Sequence, residues 1–102
     1  MRTIIFFDLP VKTKLQRKSY TQFRNFLLDE GFMMMQYSVY SRICNNHESA
    51  ERLVARISKN LPQTGSIRSL IITEKQYERM TILLGQKLPN EIKITTNQLS
   101  LF

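Results

Sequence analysis

Thr3-Ile4-Ile5-Phe6-Phe7-Asp8-Leu9-Pro10 is the stretch from which the rest of the chain is read. From Thr3 to Phe7 every residue is β-branched or aromatic, which is the composition of a central strand covered on at least one face. A residue before proline avoids the helical region, so Leu9-Pro10 ends that strand. Asp8 therefore lies where a buried strand surfaces, immediately ahead of a strongly basic segment. Among the acidic residues it alone falls outside the predicted helices and the loop around Glu91. A carboxylate beside cationic side chains can hold a divalent cation while a phosphate chain lies alongside.

The bulk composition agrees with an anionic partner. The chain has 102 residues, 15 of them Lys or Arg and 8 Asp or Glu, giving a formal charge of +7. Such an excess speeds encounter with polyanions, nucleic acid foremost. One domain with a single core in two layers is expected at this length. The opening segment is too short for a signal-peptide core, and no stretch approaches the roughly 20 apolar residues of a membrane span. No membrane partner is expected. Cys44 is the only cysteine, so neither an intrachain disulfide nor a thiolate metal cluster can form, and a cytoplasmic location fits.

Working outward from the first strand, residues 13–30 predict a helix with Leu15, Ser19, Tyr20, Phe23, Phe26 and Leu27 on one face. Lys14, Arg17, Lys18 and Arg24 fall on the opposite half, and Gly31 supplies a left-handed stop. Phe32 to Cys44 is too long for one strand, so a bend or two strands joined near Gln36-Tyr37-Ser38 are expected. Asn45 with Glu48 reads as a capping box opening a second helix, whose apolar positions run Ala50, Leu53, Val54, Ile57 and Leu61. Ser66 to Ile72 is a further strand. Thr73 with Gln76 caps a short helix presenting Tyr77 and Met80, and Thr81 to Leu84 reads as a short strand. The tail, residues 86–102, still alternates apolar and polar. It predicts an extra strand at a sheet edge, on a second subunit.

That order defines an α+β fold, a ferredoxin-like βαββαβ sandwich over residues 1–102, with a carboxy-terminal strand and a homodimer. A metabolite-sensing regulatory domain shares the order. An RNA-recognition module does too, but Ser66 to Ile72 has no aromatic for base stacking, and that reading is rejected.

Two constellations carry chemistry. Asp8 is the candidate catalytic residue and metal ligand, for Mg²⁺ or another divalent cation; its bland alternative is a cap or turn brace for the following helix. A twofold dimer would bring a second Asp8 into the same cleft. Lys12, Lys14, Arg17, Lys18 and Arg24 form an acid-free basic run, with Arg68 as a further nucleic-acid contact and Arg2 and Arg42 as extensions. Contacts of this kind hold a phosphate backbone without reading sequence. His47, Cys44 and Met33-Met34-Met35 read as surface, strand and packing residues. No glycine-rich phosphate loop, Ser-His-Asp arrangement or zinc spacing is present.

Ile4 to Pro10, Tyr20 to Leu27, Gln36-Tyr37-Ser38-Val39-Tyr40 and Gly65-Ser66-Ile67-Arg68 together resemble the CRISPR-associated family known as the second Cas protein, nearest to those of type II systems. The resemblance implies a ferredoxin-like homodimer whose tail strands exchange between subunits. It implies an Mg²⁺-dependent endoribonuclease or DNase activity centred on Asp8. It also implies spacer acquisition, with the dimer bridging CRISPR integrase dimers along a protospacer duplex of DNA, and with single-stranded RNA as a further nucleic-acid partner.

Overall fold

A computed structural model describes residues 1–85. Four strands form one antiparallel sheet: β1 (Arg2–Asp8), β2 (Met33–Gln36), β3 (Val39–Ile43) and β4 (Ser66–Ile72), in the order β2-β3-β1-β4. The helices are α1 (Lys14–Asp29), α2 (His47–Ser58) and the short α3 (Glu74–Glu78). This is the ferredoxin-like βαββαβ arrangement, with β1 central as its unbroken apolar run requires. The expected tail strand, residues 86–102, lies outside the described residues.

The pleat sorts β1 into two faces. Ile5 and Phe7 enter the main core with Phe23, Leu27, Phe32, Tyr40, Leu53 and Ile57. Phe7 is its hub, with ring centroids 5.4 Å from Phe23, 5.5 Å from Tyr40 and 5.9 Å from Tyr20. Arg2, Ile4, Phe6 and Asp8 point to the other face. There β1 is flanked in register by Ile43, Ser41 and Val39 on β3 and by Ile72, Leu70, Arg68 and Ser66 on β4. Neither α1 nor α2 covers this second face. Over its Arg2 end sits α3, with Tyr77 buried beneath it.

Local chemistry sets the element ends. Thr13 caps α1 and Gln16 returns the bond to the Thr13 amide, closing a capping box. At the other end the amides of Gly31 and Phe32 bond the carbonyls of Leu28 and Leu27, a Schellman motif with Gly31 at φ +93. The long extended segment does divide at the expected place. Gln36 pairs with Val39, leaving Tyr37-Ser38 as a two-residue turn in which Ser38 carries φ +66. Serine pays roughly 1 kcal/mol for that left-handed conformation, where Gly or Asn is usual.

Four expectations need correction. The α2 capping box is Asn46 with Ser49, one residue later than Asn45 with Glu48. Both Asn residues can cap, and the observed phase is the one that buries Ala50, Leu53 and Ile57. Leu61 lies beyond the helix and is exposed, because Ser58 Oγ and Asn60 Nδ2 take the last-turn carbonyls of Val54 and Arg56. Leu15 is 74% exposed, since α1 meets the sheet only from Tyr20 onward. Thr81 to Leu84 forms no strand among the described residues, and Leu83 and Leu84 are in solvent.

Candidate nucleic-acid and metal site

Asp8 is held by its neighbours. Phe7 before it and Leu9 after it are both buried in the core, so the intervening side chain is turned out to solvent. Its carboxylate makes no hydrogen bond or ion pair with another described residue. The capping role is filled by Thr13, which leaves Asp8 unneeded for α1. On one flank, the Phe7 amide bonds the Ser38 carbonyl at 3.0 Å, bringing the Tyr37-Ser38 turn to this end of the sheet. On the other, Asp8 pairs in register with Ser66.

Gly65 fixes the backbone from beneath. A Cβ added there would lie 2.9 Å from the Asp8 carbonyl oxygen, 2.5 Å from Leu9 Cδ2 and 3.2 Å from Leu9 Cα, and φ is +109. The chain can approach this closely only where no side chain intervenes. This contact was invisible in sequence beyond the turn character of Gln63-Thr64-Gly65.

Among the described residues no three His, Cys, Asp or Glu side chains cluster as a metal site. Asp8 thus offers a single hard oxygen donor facing water. That suits Mg²⁺, which accepts one or two carboxylates and completes its shell with water and phosphate oxygens. A richer protein cage is not required by the ion.

The basic residues divide. Lys12, Lys14, Arg17 and Lys18 are exposed at the start of α1. Arg17 Nη1 donates to the carbonyls of Val11 and Lys12, which drapes the guanidinium over the loop leading from Asp8. Arg68 is exposed on the same sheet face as Asp8, opposite Phe6. Arg24 is half-buried, with Nε donating to the Tyr40 hydroxyl at 2.9 Å, so part of its function is to brace α1 against β3. Arg42 lies on the helix side beside Gly31 and Glu30.

Arg2 does not extend the basic stripe. It is 6% exposed, with Nε and Nη2 donating to the Glu74 carboxylate at 3.1 and 2.8 Å. Its Cζ stands 3.7 Å from the centroid of the Tyr77 ring. The hydrogen bonds from Arg2 hold the Glu74 carboxyl below the usual carboxylate range. The sequence could not show this, because the partner residues lie at the far end of the chain.

A four-stranded antiparallel sheet with helices over one face, and an acid surfacing beside a basic helix start, defines a ferredoxin-like protein. The crystal structure of Streptococcus pyogenes Cas2 has this fold, superposing with a TM-score of 0.61 at 19% identity over 81% of this chain and 99% of that one. The model of the family described as CRISPR associated protein Cas2 matches residues 1–80, and the chain belongs to that family. A relative from Acidovorax ebreus is 47% identical over 102 residues, covering 100% of both chains. Another from Ligilactobacillus salivarius is 54% identical over 88 residues, 86% of this chain and 87% of that one. Both are called CRISPR-associated endoribonuclease Cas2. Among the described residues no helix is long and apolar enough to cross a membrane.

Proposed function

We propose that the chain is a cytoplasmic endoribonuclease that requires a divalent cation, Mg²⁺ by ligand chemistry, and that cuts with Asp8 as its metal-holding carboxylate. The carrying observation is an Asp8 fixed in the backbone by Phe7, Leu9 and Gly65 whose carboxylate has no hydrogen-bond or ion-pair partner among the described residues. No described residue engages that carboxylate, and phosphodiester hydrolysis can use it. A cation held there would polarise the phosphate and lower the pKa of a bound water. Lys12, Lys14, Arg17, Lys18 and Arg68 would hold the phosphate backbone on either side of the scissile bond. The shared name of the relatives supports the same activity.

The same basic surface supports a second role in spacer acquisition, in which a homodimer holds protospacer duplex DNA and bridges integrase dimers. The observation favouring it is the composition of the α1 start, where cations gather with no acid in the first turn. Duplex holding does not need Asp8; cleavage does. Asp8→Ala should therefore abolish Mg²⁺-dependent RNA cleavage and leave duplex affinity, measured by filter binding at two salt concentrations, within about twofold. Undiminished cleavage by Asp8→Ala would remove the nuclease assignment. Parallel loss of duplex binding would show that the two roles share the carboxylate.

A further inference from the structure

Tyr37 is 86% exposed, whereas Phe6, the next most exposed aromatic among the described residues, is 38% exposed. A free aromatic ring at the tip of a turn adds nothing to the core. The turn is nevertheless built with some strain, because positive φ falls on Ser38 where glycine would sit without cost. It is also pinned in place, through the Phe7 amide to the Ser38 carbonyl at 3.0 Å. Phe6 pairs with Val39 and the Phe7 amide is tied to Ser38, so the turn that carries Tyr37 stands at the end of the sheet where β1 finishes in Asp8. The exposed ring, the free carboxylate and the Arg68 cation thus share one end of one sheet.

We infer that Tyr37 is a specificity-determining contact, on which an unpaired base stacks while its phosphate lies at Asp8. This rests on the nuclease reading and refines it. A base inside a duplex is already stacked on its neighbours, so the ring engages a strand only where a base is free. Stacking tolerates every base because each has a π face, and it holds the larger purines more firmly. The site therefore favours single-stranded RNA with a purine at the stacked position. Duplex DNA, held through phosphates alone, is indifferent to Tyr37.

The test measures fluorescence anisotropy of labelled oligo(A), oligo(U) and a DNA duplex, all with cleavage-resistant phosphorothioate linkages, with the intact protein in Mg²⁺, so that a cation is present at Asp8 and nothing is cleaved. The wild type is compared with Tyr37→Ala and Tyr37→Phe. Tyr37→Ala should weaken oligo(A) by about tenfold or more, since stacking on an aromatic contributes roughly 1–3 kcal/mol per base. The preference of oligo(A) over oligo(U) should vanish with it, and duplex affinity should stay within about twofold. Tyr37→Phe should restore both affinity and preference, and the quenching of a 2-aminopurine placed in the oligomer should follow the ring. Equal oligo(A) binding by Tyr37→Ala overturns the inference, as does a Tyr37→Phe protein as weak as Tyr37→Ala. An altered sedimentation coefficient for Tyr37→Ala would assign the ring to a subunit contact and overturn it too. If the wild type cleaves RNA while Tyr37→Ala binds normally, only this inference fails. If the wild type holds no oligomer, the nuclease reading fails with it.

Discussion

Asp8 gains its position from three residues that never touch its carboxylate. Phe7 and Leu9 are anchored in the core, and Gly65 lets the strand end pass within contact of the β4 lead-in. Gly65→Ala forces a side chain into the space of the Asp8 carbonyl and Leu9, at a φ that L-residues avoid. We expect a loss of roughly 2 kcal/mol in denaturant unfolding. Cleavage should fall further than that stability loss explains when assayed at a temperature where the variant is fully folded. Normal cleavage by folded Gly65→Ala would show that Asp8 tolerates displacement. At this scale the position of Asp8 at the surfacing end of β1 was legible, because an apolar run broken by Leu9-Pro10 ends there; that Thr13 and not Asp8 caps α1 was not. Gly65 was not, since its role is a close approach between distant segments. Arg2 was misread for the same reason: a cation looks solvated in sequence until Glu74 and Tyr77 fold over it.

Helix α1 opens against electrostatic preference. The amino end of a helix carries partial positive charge and favours acids, yet its first turn has none, and Lys14 and Arg17 occupy it. Cations there destabilise the helix, which makes sense when a polyanion supplies the missing negative charge. Lys14→Glu should accordingly raise stability by about 0.5–1 kcal/mol. It should also weaken duplex binding and lower the slope of log affinity against log salt by about 1. A variant both less stable and equally tight would contradict this account of the helix.

Helix α3 is attached through Arg2 and Glu74. Because Glu74 titrates below its unfolded value, its contribution is complete above the unfolded carboxylate pKa and disappears as pH falls through the folded one. Acidification should release Tyr77, read by tyrosine near-UV circular dichroism, with no comparable change on the alkaline side of neutrality. Glu74→Gln should flatten that acid limb. The element boundaries were legible wherever a capping residue was unique, as at Thr73. They slipped where two adjacent residues could cap, as at Asn45 and Asn46. The apolar Thr81 to Leu84 run imitated a strand, but a strand needs a ladder partner, which composition does not reveal.

For the whole molecule, the unequal faces of the sheet matter most. One is sealed by α1 and α2. The other exposes Met33, Ile43 and Leu70 at 49%, 59% and 49%, with Phe6 partly open. A sheet with apolar side chains on an open face normally packs against another layer. In the proposed homodimer a second copy related by a twofold axis would supply that layer and would bring two Asp8 carboxylates to one site. The topology was readable from element order, because α1 and α2 each follow a strand and must return across the same sheet. The open face was harder to read, since the alternation in β4 places apolar residues on both sides.

If each chain contributes Asp8 alone to a shared site, the proposed pairing is countable. Mn²⁺ substitutes for Mg²⁺ at oxygen sites and is followed by electron paramagnetic resonance, so the protein can be titrated with Mn²⁺ alongside a non-hydrolysable RNA analogue. The account predicts saturation at one tightly held ion for every two chains, abolished in Asp8→Ala. Saturation at one ion per chain, or tight binding that survives Asp8→Ala, would contradict it.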